Sequence, residues 1–468
     1  MKGPLYKALR TTANKNPVHF HMPGHKNRAH NMPWLQDAAV IDTTETYGSD
    51  NLLHPEEAIR DSLDAIAAIF GAKRSLFSLN GSTGSIYMAQ HMALQPGETL
   101  LVQRDSHKSV YNGAILNRIQ LDYVYPAYDK TRHIVQDIQP EAIRDKLQAN
   151  PSIKAVMVVY PNYFGITSDL ARIAEVCHAH GALLIVDEAH GSHMHFSDRL
   201  PPSALSCGAD IVVQSTHKTM PSLTQTSLLH IGERVDEAAL SRAGALFQTT
   251  SPSYLFMTSI ENAVLYMDSE KGRAQLDALL DQVQAFRRQV SALPDYEILC
   301  AEDMQNGLDL TRLLFRHKNC SGAKLKDILY YEHNIALEMA DLYYALALGS
   351  VNNTQEDFSA LVEALARVGE ACRHCPAQIR TPADLIPATI DLPMYEAYYQ
   401  EKETIPLATA AGRVAGQQLI PYPPGVPLVL PGERITEPLI QKLTDLQEQG
   451  IDIVGMIGPE RACVEVLR

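Results

Sequence analysis

A chain of 468 residues, 46% hydrophobic and 20% charged, has material for roughly two or three domains with a large core, and too little polar bias for disorder. Its 40 Lys and Arg against 54 Asp and Glu leave a net charge of −14. That balance excludes a general binder of nucleic acid or anionic membrane, since no surplus of positive charge exists to neutralise phosphates, and it is compatible with a cationic small substrate. The start, Met1-Lys2-Gly3-Pro4-Leu5-Tyr6-Lys7, has no apolar stretch behind its positive charges, and runs such as Ala182 to Val186 are too short to cross a bilayer. The 7 cysteines are scattered and odd in number, so a reduced, cytoplasmic protein is expected.

Residues 1–45, dotted with His, Pro and Asn, read as an arm, with an ordered turn in His19-Phe-His-Met-Pro-Gly-His-Lys26. From Pro55 to Phe70, Ile59, Leu63, Ile66 and Phe70 share one helical face. Strands are predicted at 75–79, 99–102, 155–160, 183–187, 211–214 and 227–231, with helices at 85–95, 107–117, 140–148 and 169–180 between them. This alternation implies βαβ units and a mostly parallel sheet flanked by helices. The unbroken apolar runs AVMVVY and ALLIVD fit strands buried on both faces. A large domain over 46–284 and a smaller C-terminal α+β domain over 285–468 follow, the latter holding the proline-rich segment from Ile420 to Gly432. Cys372-Arg-His-Cys375 lacks a second C-x-x-C and reads as a helix end with two reduced thiols.

Four segments fall at the C-terminal ends of predicted strands, where open α/β sheets place ligands. Asn80-Gly-Ser-Thr-Gly-Ser85, before a helix, offers the hydroxyls of Ser82 and Thr83, a flexible Gly84 and free N–H groups to an anion; taken alone it reads as an ordinary capped helix. Asp187, in Asp187-Glu-Ala-His190, can pair with a protonated ring nitrogen or cap a turn. Lys218, in Ser215-Thr-His-Lys218, follows a buried strand; burial beside another cation would make its amine nucleophilic, although such a side chain can also reach out to solvent. His107, in Asp105-Ser-His-Lys108, is either a flat platform or a plain helix-start histidine. Together these make a phosphate cradle, a ring platform, an anionic partner and a nucleophilic lysine, the parts a pyridoxal 5′-phosphate (PLP) site requires.

With these residues in place, the chain resembles the Orn/Lys/Arg decarboxylase family, PLP enzymes of the aspartate aminotransferase fold, fold type I. The resemblance rests on HFHMPGHK (19–26), SLNGSTGS (78–85), RDSHKS (104–109), VDEAHG (186–191), QSTHK (214–218), TTSPSY (249–254) and AAGRVAGQQLIPYPPGVPLVLPGE (410–433), in family order over nearly the whole chain. It implies a short form without the N-terminal wing of larger members. It also implies that Lys218 bonds the cofactor's aldehyde carbon and Asp187 pairs with its pyridine nitrogen, that His107 stacks on the ring and Ala189 packs below it, and that Ser82, Thr83, Gly84, Ser215 and His217 hold the phosphate. His190 stands where the long forms carry tryptophan, with a substrate-side general acid as one role. His25, Thr250 and Ser251 are expected to reach a neighbouring subunit's site, Thr250 toward the cofactor, which implies a homodimer or higher homo-oligomer.

The implied reaction is decarboxylation of arginine, lysine or ornithine to the amine of the polyamine pathway. The alternative is another fold-type-I enzyme, an aminotransferase or lyase acting on an amino acid. Two histidine runs, His19-x-His21-x-x-x-His25 and His190-x-x-His193-x-His195, have metal-like spacing, but both lie inside PLP-type segments and no metal is expected. A non-catalytic binding module would not need the nucleophilic lysine. An acidic group must meet the far end of a basic substrate, and Glu338, Asp341, Glu396, Glu401 and Glu403 are the candidates.

Overall fold

The structure, a computed structural model, describes residues 11, 14–46, 48–372, 386–422 and 425–468. At its centre is a sheet of β1 (Arg74–Ser78), β2 (Thr99–Gln103), β3 (Gln120–Val124), β4 (Ile153–Val159), β5 (Leu183–Asp187), β6 (Ile211–Gln214) and β7 (Ser227–Ile231). Their order across the sheet is β1-β7-β6-β5-β4-β2-β3. From β6 through β3 every pairing is parallel, and β7 alone runs against its neighbours β6 and β1. The fold is therefore the expected α/β architecture of fold type I. The inner strands are largely apolar at their centres because helices cover both faces: Val156, Leu184, Ile185, Val186 and Val212 are wholly buried.

Two local differences from the sequence reading have physical causes. Strand β3 was not anticipated, because QLDYV sits at the sheet edge, only its Tyr123 and Val124 are buried, and it lacks the apolar run of an inner strand. The helix α1 (Gly81–Ala93) begins several residues earlier than predicted, so that Gly-Ser-Thr-Gly forms its first turn. Glycines there cost little, since first-turn N–H groups have no partner inside the helix in any case.

The C-terminal half contributes to three apolar clusters. Strands Tyr296–Ile298, Arg312–His317, Ala345–Leu348 and Met339–Ala340 form an antiparallel sheet that places Leu313, Phe315 and Ala345 in the main core and Leu314, Met339, Leu346 and Leu348 in a second cluster. Beyond residue 386, Leu407, Leu419, Val429, Ile435, Leu443 and Val466 belong to a separate apolar cluster. Arg104 joins this unit to the sheet. It donates to the carbonyls of Pro427 (2.6 Å) and Leu428 (3.1 Å) and pairs with Glu433 at 3.0 Å, both side chains almost wholly buried.

The arm closes the remaining gap. Val18–Phe20 pairs in parallel with Ile335–Leu337, and the turn after it lies between the two halves: Gly24 N–H donates to the His217 carbonyl at 2.8 Å, and Ser350 Oγ donates to the Gly24 carbonyl at 2.6 Å. A Cβ at Gly24 would lie 2.5 Å from the Met220 carbonyl oxygen, so only glycine permits this approach. Among the described residues no helix is long and apolar enough to cross a membrane.

Candidate active site

The C-terminal ends of β1, β2, β5 and β6 open into a cavity of about 630 Å³, whose opposite side is formed by segments 338–343 and 420–454. At its base, Ser82 in the first turn of α1 meets Ser215 after β6, their hydroxyl oxygens 2.6 Å apart. Thr83 lines the same corner. Gly81 has φ +62°, and a Cβ there would find only the Gln225 carbonyl at 3.8 Å, so the backbone stays open to a ligand. Hydroxyls and unpaired N–H groups at a helix start make an anion site. His217 Nδ1 donates to the Thr226 carbonyl at 2.8 Å, and burial lowers its pKa to about 4, so the ring is neutral.

Asp187, at the end of β5, is buried, and its Oδ1 accepts from the Ala189 N–H at 3.1 Å. Burial raises its pKa, while the Lys218 charge and that N–H act the other way. Lys218 follows β6 on the helix Thr216–Thr219, and its Nζ stands 3.0 Å from His190 Nε2. Its pKa falls to about 8, chiefly from burial, with Arg312 adding to the fall and Asp187 and Glu338 opposing it. His107 caps the helix Lys108–Asn117, accepting from the Ser109 N–H, and its ring lines the cavity.

Ser82, Thr83, His107, Asp187, Ala189, His190, Ser215, His217 and Lys218 therefore share one cavity. Gly84 is not part of the lining, and a Cβ there would come 3.0 Å from Asn80 Cβ. Thr250 and Ser251 are exposed on the loop before Tyr254, and they and His25 are not part of this cavity's lining. Of the acidic candidates, Glu338 and Asp341 line the cavity. Glu396 is exposed at a helix start, Glu401 pairs with Arg468 and Glu403 with Arg413. Asp341 accepts from the N–H groups of Tyr343 and Tyr344, whereas Glu338 Oε2 accepts from the Met22 N–H at 2.7 Å and Oε1 from the Tyr163 hydroxyl at 3.0 Å.

Tyr163 and Arg312 were not singled out from the sequence. Tyr163 follows β4, another parallel strand end, so its position was a usable signal; its ring meets that of His190 edge-on at 5.0 Å. Arg312 gave no signal, because it acts from a strand of the other half. Among the described residues no three His, Cys, Asp or Glu are grouped to hold a metal ion. His19 bonds His21, His193 pairs with Asp309 and His195 packs on Phe70. Cys372 ends a helix, and Cys375 lies outside the described residues, as do Pro423 and Pro424 of the YPPG segment, whose flanking Tyr422 and Gly425 line the cavity.

Comparison with known proteins gives the family. The Orn/Lys/Arg decarboxylase major domain matches residues 3–306, and the C-terminal domain of the same family matches residues 386–455. An arginine decarboxylase of Halalkalibacterium halodurans is 31% identical over 99% of this chain and 97% of its own. One from Bacillus subtilis is likewise 31% identical, over 99% and 97%. The solved lysine decarboxylase A of Pseudomonas aeruginosa superposes with a TM-score of 0.80 at 20% identity, covering 100% of this chain and 76% of that one, a likeness of fold. The chain thus belongs to the Orn/Lys/Arg decarboxylase family and is an amino-acid decarboxylase, a lyase.

Proposed function

We propose that the protein removes the carboxylate of a basic amino acid, arginine, lysine or ornithine, with PLP, yielding the corresponding amine of the polyamine class. One observation carries this reading: a nucleophilic lysine and an anion cradle stand at one side of a cavity whose other side presents Glu338.

The residues present fit the cofactor. Ser82, Thr83 and Ser215, with the first-turn N–H groups of α1, would hold its phosphate; Asp187 would pair with its ring nitrogen, and His107 and Ala189 would pack against its ring. PLP bound there supplies an electron-accepting ring for the pair left on the substrate's Cα as CO₂ departs. Lys218 Nζ would serve as the nucleophile and as a proton carrier to that carbon.

Glu338 takes the substrate's distal cation. Each of its oxygens accepts one hydrogen bond within the protein and keeps a lone pair for an ammonium or guanidinium. Tyr163 and the Met22 N–H fix the carboxylate's direction, and Leu428, Leu446 and Val454 make that side apolar.

The reading includes a cytoplasmic homodimer or higher homo-oligomer in which His25, Thr250 and Ser251 serve the neighbouring subunit's site. The test is CO₂ release by the purified enzyme with arginine, lysine and ornithine, using diaminobutyrate and aspartate as controls. Release from a basic amino acid is expected. A keto acid formed without CO₂ would replace this reading with an aminotransferase.

A further inference from the structure

Arg312 and Asp309 are both wholly buried. Arg312 Nε donates to Asp309 Oδ2 at 3.3 Å, and its Nη2 donates to the His190 carbonyl at 3.0 Å and to His190 Nδ1 at 2.8 Å. Asp309 Oδ1 is held in turn by the Thr311 N–H (3.0 Å), the Thr311 hydroxyl (2.8 Å) and His193 Nε2 (3.1 Å). Gly165 fixes the arginine from the other side, since a Cβ there would lie 2.6 Å from Arg312 Cγ.

A guanidinium has only donors and does not lose its proton in proteins. His190 Nδ1 must therefore be the bare, accepting nitrogen, and the neutral ring carries its hydrogen on Nε2. That N–H points at Lys218 Nζ, 3.0 Å away. It can be accepted only by a lone pair, which a free amine has and an ammonium lacks.

We propose that Arg312 is a positioning residue which, through His190, favours the unprotonated form of the Lys218 amine and so raises its free-amine fraction at neutral pH. The proposal rests on the reading of Lys218 as the nucleophile. It also reassigns His190 from the general acid considered from the sequence to a fixed N–H donor: a second proton would have to enter at Nδ1, against the guanidinium.

The surroundings agree. Burial, followed by the charges of Lys218 and Arg312, keeps His190 far below its ordinary pKa, and the rings of His107 and His217 act in the same direction. The groups that favour a charged Lys218 are Asp187 and Glu338, and they leave its pKa at about 8. Another titratable neighbour, Tyr163, meets His190 edge-on and keeps its proton, burial and Glu338 raising its pKa.

The test uses the full-length chain with cofactor removed, and two readouts independent of turnover. Nitrogen NMR of ¹⁵N-histidine protein, with the His190 signals assigned through H190N, should show Nδ1 bare and Nε2 protonated across neutral pH. A proton on Nδ1 in the wild type overturns the proposal. Carbamoylation of Lys218 by cyanate, followed by mass spectrometry against pH, reports its free-amine fraction. R312M, which has neither charge nor donor, should lower the rate at neutral pH about tenfold, the effect of one pKa unit. R312K should keep the wild-type profile, and R312Q, neutral but still a donor, should fall nearer wild type than R312M. Equal profiles for R312Q and R312M would mean that charge alone acts, and an R312M profile identical to wild type would mean that Arg312 has no influence; either defeats the proposal. The wild-type NMR decides even if R312M does not fold. Absence of CO₂ release with this tautomer and lysine profile intact would fault the decarboxylase reading instead.

Discussion

The floor of the cavity comes mainly from strand ends of one sheet, within residues 80–225, whereas the facing wall comes from segments 338–343 and 420–454. On the floor, backbone geometry places each group: the α1 start sets Ser82, the end of β5 sets Asp187 and the end of β6 sets Lys218. The wall depends on long-range ties, namely Glu338 to Met22 and Tyr163, and Arg104 to Glu433. The difference suits the division of labour proposed above, with reaction chemistry on the floor and recognition of the substrate's far end on the wall.

Substitutions on each side should separate these roles. The largest effect is expected from Lys218→Ala, which should abolish turnover and the visible absorbance of the bound cofactor; full activity would remove the floor from the chemistry. Glu338→Gln should cost about 10²-fold in kcat/KM for a basic substrate, mostly through KM, the scale of losing a charged partner in a buried site. Arg104→Met leaves Glu433 buried without its partner and should destabilise the chain to urea by about 3 kcal/mol, with Arg104→Met/Glu433→Met recovering much of the loss. Ser215→Ala should weaken cofactor binding about tenfold, measured by loss of bound cofactor on dilution, while leaving the substrate preference unchanged. A shift in that preference would break the division between floor and wall.

The floor was legible in the sequence because parallel strands announce themselves as apolar runs and their ends carry the polar residues. Lys218, Asp187 and Ser82 could be found that way. The wall was not legible, because tertiary contacts decide which of several acidic residues faces inward. Glu338 and Asp341 do so, but Glu403 is spent on Arg413. Arg312 was hidden for the same reason: its partners lie 122 residues away in His190 and three away in Asp309, and no local pattern joins them. Strand β3 was missed because an exposed edge strand need not be apolar.

The central claim, that Glu338 reads a distal cation over a decarboxylating floor, is tested most directly by CO₂ release from lysine and from norleucine, its uncharged analogue, in the wild type and in Glu338→Gln. A strong wild-type preference for lysine, or for whichever basic amino acid proves best against its own neutral analogue, is expected, and its collapse in the variant with kcat on the preferred substrate largely kept. An undiminished preference in a folded, cofactor-loaded Glu338→Gln enzyme would contradict it.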